Sequence, residues 1–313
     1  MRRKEWIRKI LMLMVCLGMM AVILSACGET TAGTGQDTAE TETPAAAETA
    51  AAETAAKTGD GTEMTLYSIN VRKADAHLLR CGDVVYLIDT GSKESAAKLL
   101  AVLADEGITR LDGVILTHTD SDHAGGLKAL LVSGIEIDGI YASGYYNKKK
   151  HPAEKAIKKN GQEIPLTYLL GGDSLPFGGG TLAALGPITP DPEKENNNSL
   201  VLLASGGGGT ILLCGDMEFP EEDSLLKAGL IPQADVIKIG NHGESDATSN
   251  LFLVTVNPKV AVISTNTEDE PDTPAARVMK LLNSVGCTVY QTQETKNGVL
   301  ISLKNGEIAA EYR

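Results

Sequence analysis

His118-Thr119-Asp120-Ser121-Asp122-His123-Ala124-Gly125-Gly126 is the stretch on which the reading of this chain turns. Four side chains of metal-ligand type fall within its first six residues. Imidazole and carboxylate are the donors that borderline and hard divalent cations prefer. The preceding Gly113-Val114-Ile115-Leu116-Thr117 reads as a buried strand, so the ligand-type residues stand on a loop that a rigid scaffold can hold. Gly125-Gly126 lets a helix begin close to them. A solvated polar loop is the competing reading, and the density of ligand types weighs against it. Of the five histidines in the chain, His118, His123 and His242 each follow a strand-like run.

Working outward, residues 66–71 and 76–80 are short apolar stretches. Val84-Val85-Tyr86-Leu87-Ile88 is a further buried strand, ending at Asp89-Thr90-Gly91. Residues 95–106 carry apolar positions at helical spacing, with Gly107 as the stop. In the second half, 200–204 and 210–213 form a hairpin around the glycine run 206–209, and 236–239 leads into Asn241-His242-Gly243. Residues 260–264 precede a helix near 274–285. Residues 288–291 and 299–303 are closing strands, with Asn305-Gly306 as a hairpin turn. Two similar halves of strands and helices predict two mixed sheets packed together and covered by helices on both sides. With three phenylalanines and one tryptophan, the core must be aliphatic.

The N-terminus is of another kind. Arg2, Arg3, Lys4, Arg8 and Lys9 precede an uncharged apolar run from 10 to 24, too short for an ordinary spanning helix, and Leu24-Ser25-Ala26-Cys27 follows. It resembles a bacterial lipoprotein signal, which implies cleavage after residue 26 and lipidation of Cys27; an uncleaved anchor is the alternative. Either way the body is expected on the extracytoplasmic face, held to the membrane. Without the leader, 23 basic and 40 acidic side chains remain, a net charge of −17. Such a body does not cling non-specifically to nucleic acid or anionic lipid. Residues 27–62 are almost wholly Ala, Thr, Glu and Gly, and predict a disordered acidic tether with a reach of roughly 30–35 Å. Cys81, Cys214 and Cys287, none in a CxxC, read as buried small hydrophobes.

Residues 64–313 resemble the metallo-β-lactamase superfamily. The loop 118–123 looks like its HxHxDH signature with aspartate at the second histidine, a variant that, followed by Gly-Gly, resembles the hydrolase domain of ComEC-type competence proteins. Asp75-Ala76, Leu87-Ile88-Asp89-Thr90-Gly91, Asn196-Asn197-Asn198-Ser199-Leu200-Val201-Leu202, Leu213-Cys214-Gly215-Asp216 and the segment from Ala234 to Gly243 are similar to further motifs of that branch, in the same order. The resemblance implies an α/β fold, the αββα four-layer sandwich, for residues 63–313, and a centre of one or two divalent ions, zinc or manganese. His118 and Asp120 would hold one ion, Asp122, His123 and His242 would hold or flank the other, and Asp216 would bridge them. Asp89 would orient a ligand histidine. Asp122, His123 and Asp216 would be the catalytic set, with Asp122 as proton acceptor. Two departures stand out. The usual HHG is Asn241-His242-Gly243, leaving a weak neutral group at 241, and the only histidine in the interval before the bridging aspartate is His151, which reads as a surface residue. A centre poor in nitrogen leans from zinc toward manganese or magnesium.

His77 reads as a packed histidine, and Asp75 as a turn cap or part of the site rim. Residues 141–159 are the one basic island, with Lys148, Lys149, Lys150, Lys155, Lys158 and Lys159 beside Tyr145 and Tyr146. A solvated helix face is the plain reading of it; a phosphodiester-binding surface is the sharper one. The functional expectation is therefore a phosphodiesterase or nuclease acting on DNA or a small phosphodiester. The alternatives are a hydrolase of a lactam, lactone or thioester, and a binding lipoprotein whose metal site has decayed.

Overall fold

The computed structural model describes residues 61–313. The expected leader, Cys27 and nearly all of the tether lie outside the described residues. The larger sheet has eight strands in the spatial order Glu307–Tyr312, Gly298–Lys304, Met64–Ile69, His77–Cys81, Val84–Ile88, Gly113–Leu116, Ile140–Ser143 and Leu166–Leu169. It is antiparallel up to Val84–Ile88 and parallel from there on. The second sheet has seven, in the order Thr288–Gln291, Val260–Ile263, Val236–Lys238, Gly209–Leu213, Val201–Gly206, Gly180–Gly186 and Ser174–Phe177. Its first four are parallel and the rest antiparallel.

Strand alternation explains the layering. In Val84–Ile88, Tyr86 and Ile88 enter the core between the sheets while Leu87 points the other way; in Gly113–Leu116, Ile115 points inward while Val114 and Leu116 do not. A strand apolar on both faces belongs between two layers. Leu66, Leu79, Ile88 and Ile115 of one sheet meet Leu202, Ile211, Leu213, Val236 and Val262 of the other. The outer face of the first sheet packs on helices Ala96–Asp105, Leu127–Leu131 and Pro152–Asn160. That of the second packs on Phe219–Lys227, Asn250–Val256 and Ala276–Ser284. This is the αββα sandwich, with an aliphatic core. Each fully buried Leu, Ile or Val contributes about 1.5–3 kcal/mol.

The expected hairpins at 206–209 and 305–306 are present. Ser174–Phe177, Gly180–Gly186 and helix Phe219–Lys227 were not anticipated, because their apolar positions are interrupted by polar and charged residues and proline. Gly125 and Gly126 do what close approach demands: a Cβ there would lie 2.7 Å from the Lys93 nitrogen and 2.1 Å from the Thr90 carbonyl oxygen. Only glycine lets the metal loop press against residues 90–93 before helix Leu127–Leu131 begins.

Candidate metal centre

The site lies at the carboxyl ends of strands from both sheets, where α/β folds place their ligands. Val84–Ile88 delivers Asp89, Gly113–Leu116 delivers His118, Gly209–Leu213 delivers Asp216, and Val236–Lys238 leads to His242. Three non-glycine residues here adopt positive φ: Asp89 at 60°, Asn241 at 45° and His242 at 52°. Such conformations cost about 1–3 kcal/mol each and persist where the surroundings over-determine them. The Asp89 amide donates to the Ile115 carbonyl at 2.7 Å, and the Asn241 amide to the Gly215 carbonyl at 3.2 Å.

Asp122, His123, Asp216 and His242 each bring one ligand atom into a group spanning no more than 4.8 Å. His123 Nε2 lies 3.0 Å and His242 Nε2 3.3 Å from Asp216 Oδ2, and His242 Nε2 is 3.4 Å from Asp122 Oδ2. Both rings are oriented from behind. His123 Nδ1 donates to Asp89 Oδ2 at 2.8 Å, and His242 Nδ1 to the Ser264 carbonyl at 2.8 Å. A proton held on Nδ1 leaves the Nε2 lone pair facing the cluster. Asp89 is itself fixed by the Thr117 amide at 2.8 Å and the Thr117 hydroxyl at 2.7 Å.

The Nε2 atoms of His118, His123 and His242 and Asp216 Oδ1 are buried and lack a hydrogen bond among the described residues. Leaving such atoms unpaired costs roughly 1–3 kcal/mol each. Two imidazole nitrogens and two carboxylates around a common point fit a divalent cation, which would satisfy them together. His118 and Asp120 are looser. His118 Nε2 is 3.8 Å from Asp120 Oδ2, and the Asp120 side chain is 40% exposed against 4% for Asp216. His118 Nδ1 contacts the hydroxyls of Thr117 at 3.2 Å and Ser199 at 3.4 Å. Asp120 turns toward Lys148, whose Nζ lies 3.4 Å from its Oδ1.

Below the cluster is a feature that sequence reasoning missed. Lys238, last residue of its strand, is fully buried; its ammonium pairs with Asp75 Oδ2, donates to the Gly215 carbonyl at 3.0 Å and lies 3.7 Å from Asp216 Oδ1. Asp75 is no rim residue but a buried carboxylate, 3.7 Å from His242 Nδ1 and 3.9 Å from His123 Nδ1. Burial opposes the charge on each partner, yet their mutual attraction prevails: Asp75 is held well below the usual carboxylate range and Lys238 is raised. Burial likewise opposes charge on Asp216 and Asp122, but the histidines outweigh it, holding Asp216 well below its usual range and Asp122 at about 2. The reciprocal effect, against burial, lifts His242 to about 9 through Asp216 and Asp122, and raises His123 through Asp216 and Asp89. His118 goes the other way, lowered by burial and by the neighbouring His123.

Other expected residues fall as follows. His77 is packed, its Nδ1 3.0 Å from the Ser68 hydroxyl. Asn241 is buried and donates to Asp246 Oδ1 at 3.1 Å. His151 is not a surface histidine: it is fully buried and caps helix Pro152–Asn160, its Nδ1 accepting from the Ala153 amide at 3.2 Å. Its ring sits edge-on to Tyr146 and Tyr168, 5.2 and 5.7 Å between centroids. Tyr146 also stacks on Tyr168, 5.8 Å between centroids. Cys81, Cys214 and Cys287 are buried, as small hydrophobes are.

Residues 69–267 match the metallo-beta-lactamase superfamily, and the chain belongs to that superfamily. Within it the chain is similar to ComE operon protein 3 of Bacillus subtilis (strain 168), 32% identical over 203 residues, which are 64% of this chain and 26% of that protein. It is also similar to competence protein ComA of Neisseria gonorrhoeae, 29% identical over 251 residues, 78% of this chain and 32% of that one. The chain thus spans about a quarter to a third of the length of these relatives. Among solved structures, the metallo-beta-lactamase fold protein YhfI from Bacillus subtilis superposes with a TM-score of 0.51 at 16% identity, covering 77% of this chain and 99% of that one. That likeness is one of fold.

Proposed function

We propose that this chain is a metal-dependent hydrolase of phosphodiesters, held on the extracytoplasmic face by a lipid on Cys27. The observation that carries the hydrolase reading is the convergence of Asp122, His123, Asp216 and His242 on one point, with the rings oriented from behind. Similarity to competence proteins and the Lys148 ammonium beside Asp120 support an anionic phosphodiester. The basic, apolar, Leu-Ser-Ala-Cys leader supports the tether.

Asp122, His123, Asp216 and His242 would hold the tighter ion, and His118 with Asp120 would flank a second. A divalent ion bound there supplies Lewis acidity, activating water and neutralising charge that builds on the phosphoryl oxygens. The chain's own residues do the rest. Asp89 and the Ser264 carbonyl keep His123 and His242 in the Nδ1–H tautomer. Asp216 is anchored by its amide, which donates to the Ser199 hydroxyl at 3.1 Å, and by Lys238. Of the two carboxylates in the cluster, Asp122 is the one that reaches solvent, 33% exposed against 4% for Asp216. It would therefore be the carboxylate that orients the attacking water.

The test is metal content by mass spectrometry on the purified protein, with turnover of bis(p-nitrophenyl) phosphate, single-stranded DNA and a β-lactam in manganese or zinc. Phosphodiester cleavage that His123→Ala abolishes is the expected outcome. Cleavage of the lactam alone would reassign the bond, and absence of both metal and turnover would leave a binding protein.

A further inference from the structure

The geometry points to Lys148 as the residue that recognises the negative charge of the substrate, an inference that rests on the phosphodiester reading above. Lys148 lies between strand Ile140–Ser143 and helix Pro152–Asn160, yet its ammonium reaches the metal loop. It donates to the Thr119 carbonyl and stands 3.4 Å from Asp120 Oδ1. An ammonium has three donors. Two are directed at the metal loop; the third has no partner among the described residues, and the side chain is 41% exposed.

The position is built. Glu195 clasps the two loops together: its Oε1 accepts from the Thr119 amide at 3.1 Å and from the Thr119 hydroxyl, and its Oε2 from the Asn147 amide at 2.7 Å. On the other side, His151 caps the following helix and is buried against Tyr146 and Tyr168. The lysine loop is therefore pinned on both flanks of Lys148, which keeps the ammonium within reach of the outer edge of the centre.

Charge makes this placement matter. A phosphodiester monoanion approaches a strongly acidic body and a centre lined by Asp120, Asp122 and Asp216. Lys148 supplies positive charge on that approach, with the exposed Lys149 and Lys150 beside it. A neutral ester or lactam gains nothing from such a group, so Lys148 selects for charge.

The test compares binding of two dinucleotides to the metal-loaded protein by calorimetry. One carries an anionic phosphorothioate linkage, which resists cleavage; the other has a neutral methylphosphonate. Lys148→Gln keeps a donor for the Thr119 carbonyl and removes the charge. It is expected to weaken the anionic dinucleotide about 2–5-fold, the scale of one charge contact at a solvent-exposed edge, and to leave the neutral one unchanged. The loss should shrink as salt rises, and Lys148→Arg should restore most of the affinity. Equal loss for both dinucleotides would make Lys148 a loop staple and overturn the inference; so would unchanged binding of both, or no preference for the anion in the unaltered protein. Turnover of bis(p-nitrophenyl) phosphate, followed alongside, keeps the two ideas apart. Discrimination without turnover removes the phosphodiesterase reading, whereas turnover without discrimination removes the role of Lys148.

Discussion

The inner and outer parts of the centre use the same kinds of side chain and differ in everything that surrounds them. Inside, His123 and His242 are locked by Asp89 and Ser264, Asp216 is fixed from below by Lys238, and the four ligand atoms are already gathered. Outside, His118 leans on two hydroxyls, and Asp120 is 40% exposed and drawn toward Lys148. Ligand identity sets which ions can bind; burial and the partners behind each ligand set how firmly. The inner set should hold its ion tightly and the outer pair weakly, the outer edge serving substrate charge as much as metal.

The sharpest way to break this contrast is to remove one carboxylate from each part. Asp216→Ala should abolish firm metal binding and activity, whereas Asp120→Ala should lose at most a weakly held ion and keep the inner one, as metal content after gel filtration will show. Equal losses would erase the distinction. Next in size is Lys238→Met. It strands Asp75 as an uncompensated buried charge, a situation that costs about 3–5 kcal/mol. Thermal unfolding should drop accordingly, and adding Asp75→Asn should recover much of the loss, because the pair is then removed together. Smaller again is Asp89→Asn, which leaves every ligand in place and alters the group that His123 and the Thr117 hydroxyl share. Metal affinity should fall about 10–100-fold with little change in unfolding temperature.

The smallest expected effect comes from a control outside both parts. Glu221 is buried with neither carboxylate oxygen hydrogen-bonded among the described residues; burial, then the neighbouring Glu222 and Asp191, push its pKa well above 4.5. The folded protein thus keeps this proton where the unfolded chain has released it. Its contribution to stability is full below about pH 4.5 and is lost progressively as pH rises above that. Glu221→Gln should flatten that part of the pH–stability curve, read by denaturant midpoints between pH 4 and 8, without touching metal content.

The metal loop was legible because its ligands are local: six residues carry the pattern, and the strand before them is plainly apolar. His242 stood out as a histidine at the end of a strand-like run, whereas Asp216 was legible only through the order of short motifs along the chain. Lys238 was not, because a lysine ordinarily signals surface. The clue lay in its place after Val236 and Ile237, in a run whose neighbours on both sides are apolar; a central parallel strand buries both faces, so its lysine needs a buried acid. His151 was misjudged from the three lysines before it. Its true signal was the proline after it, since a polar residue ahead of Pro152 is a helix cap. Register, and hence the meeting of Asp75 with Lys238 across the two sheets, depends on long-range packing that no local pattern encodes.

The buried Lys238 also bears on the order of events in the life of the protein. Small zinc domains stay unfolded until their ion arrives, because they bury too little surface to fold without it. Here a fixed internal cation balances part of the acid cluster from the moment the sheets close. The chain is therefore expected to fold before it binds metal, and a chelator should strip the ion without lowering the unfolding temperature by much.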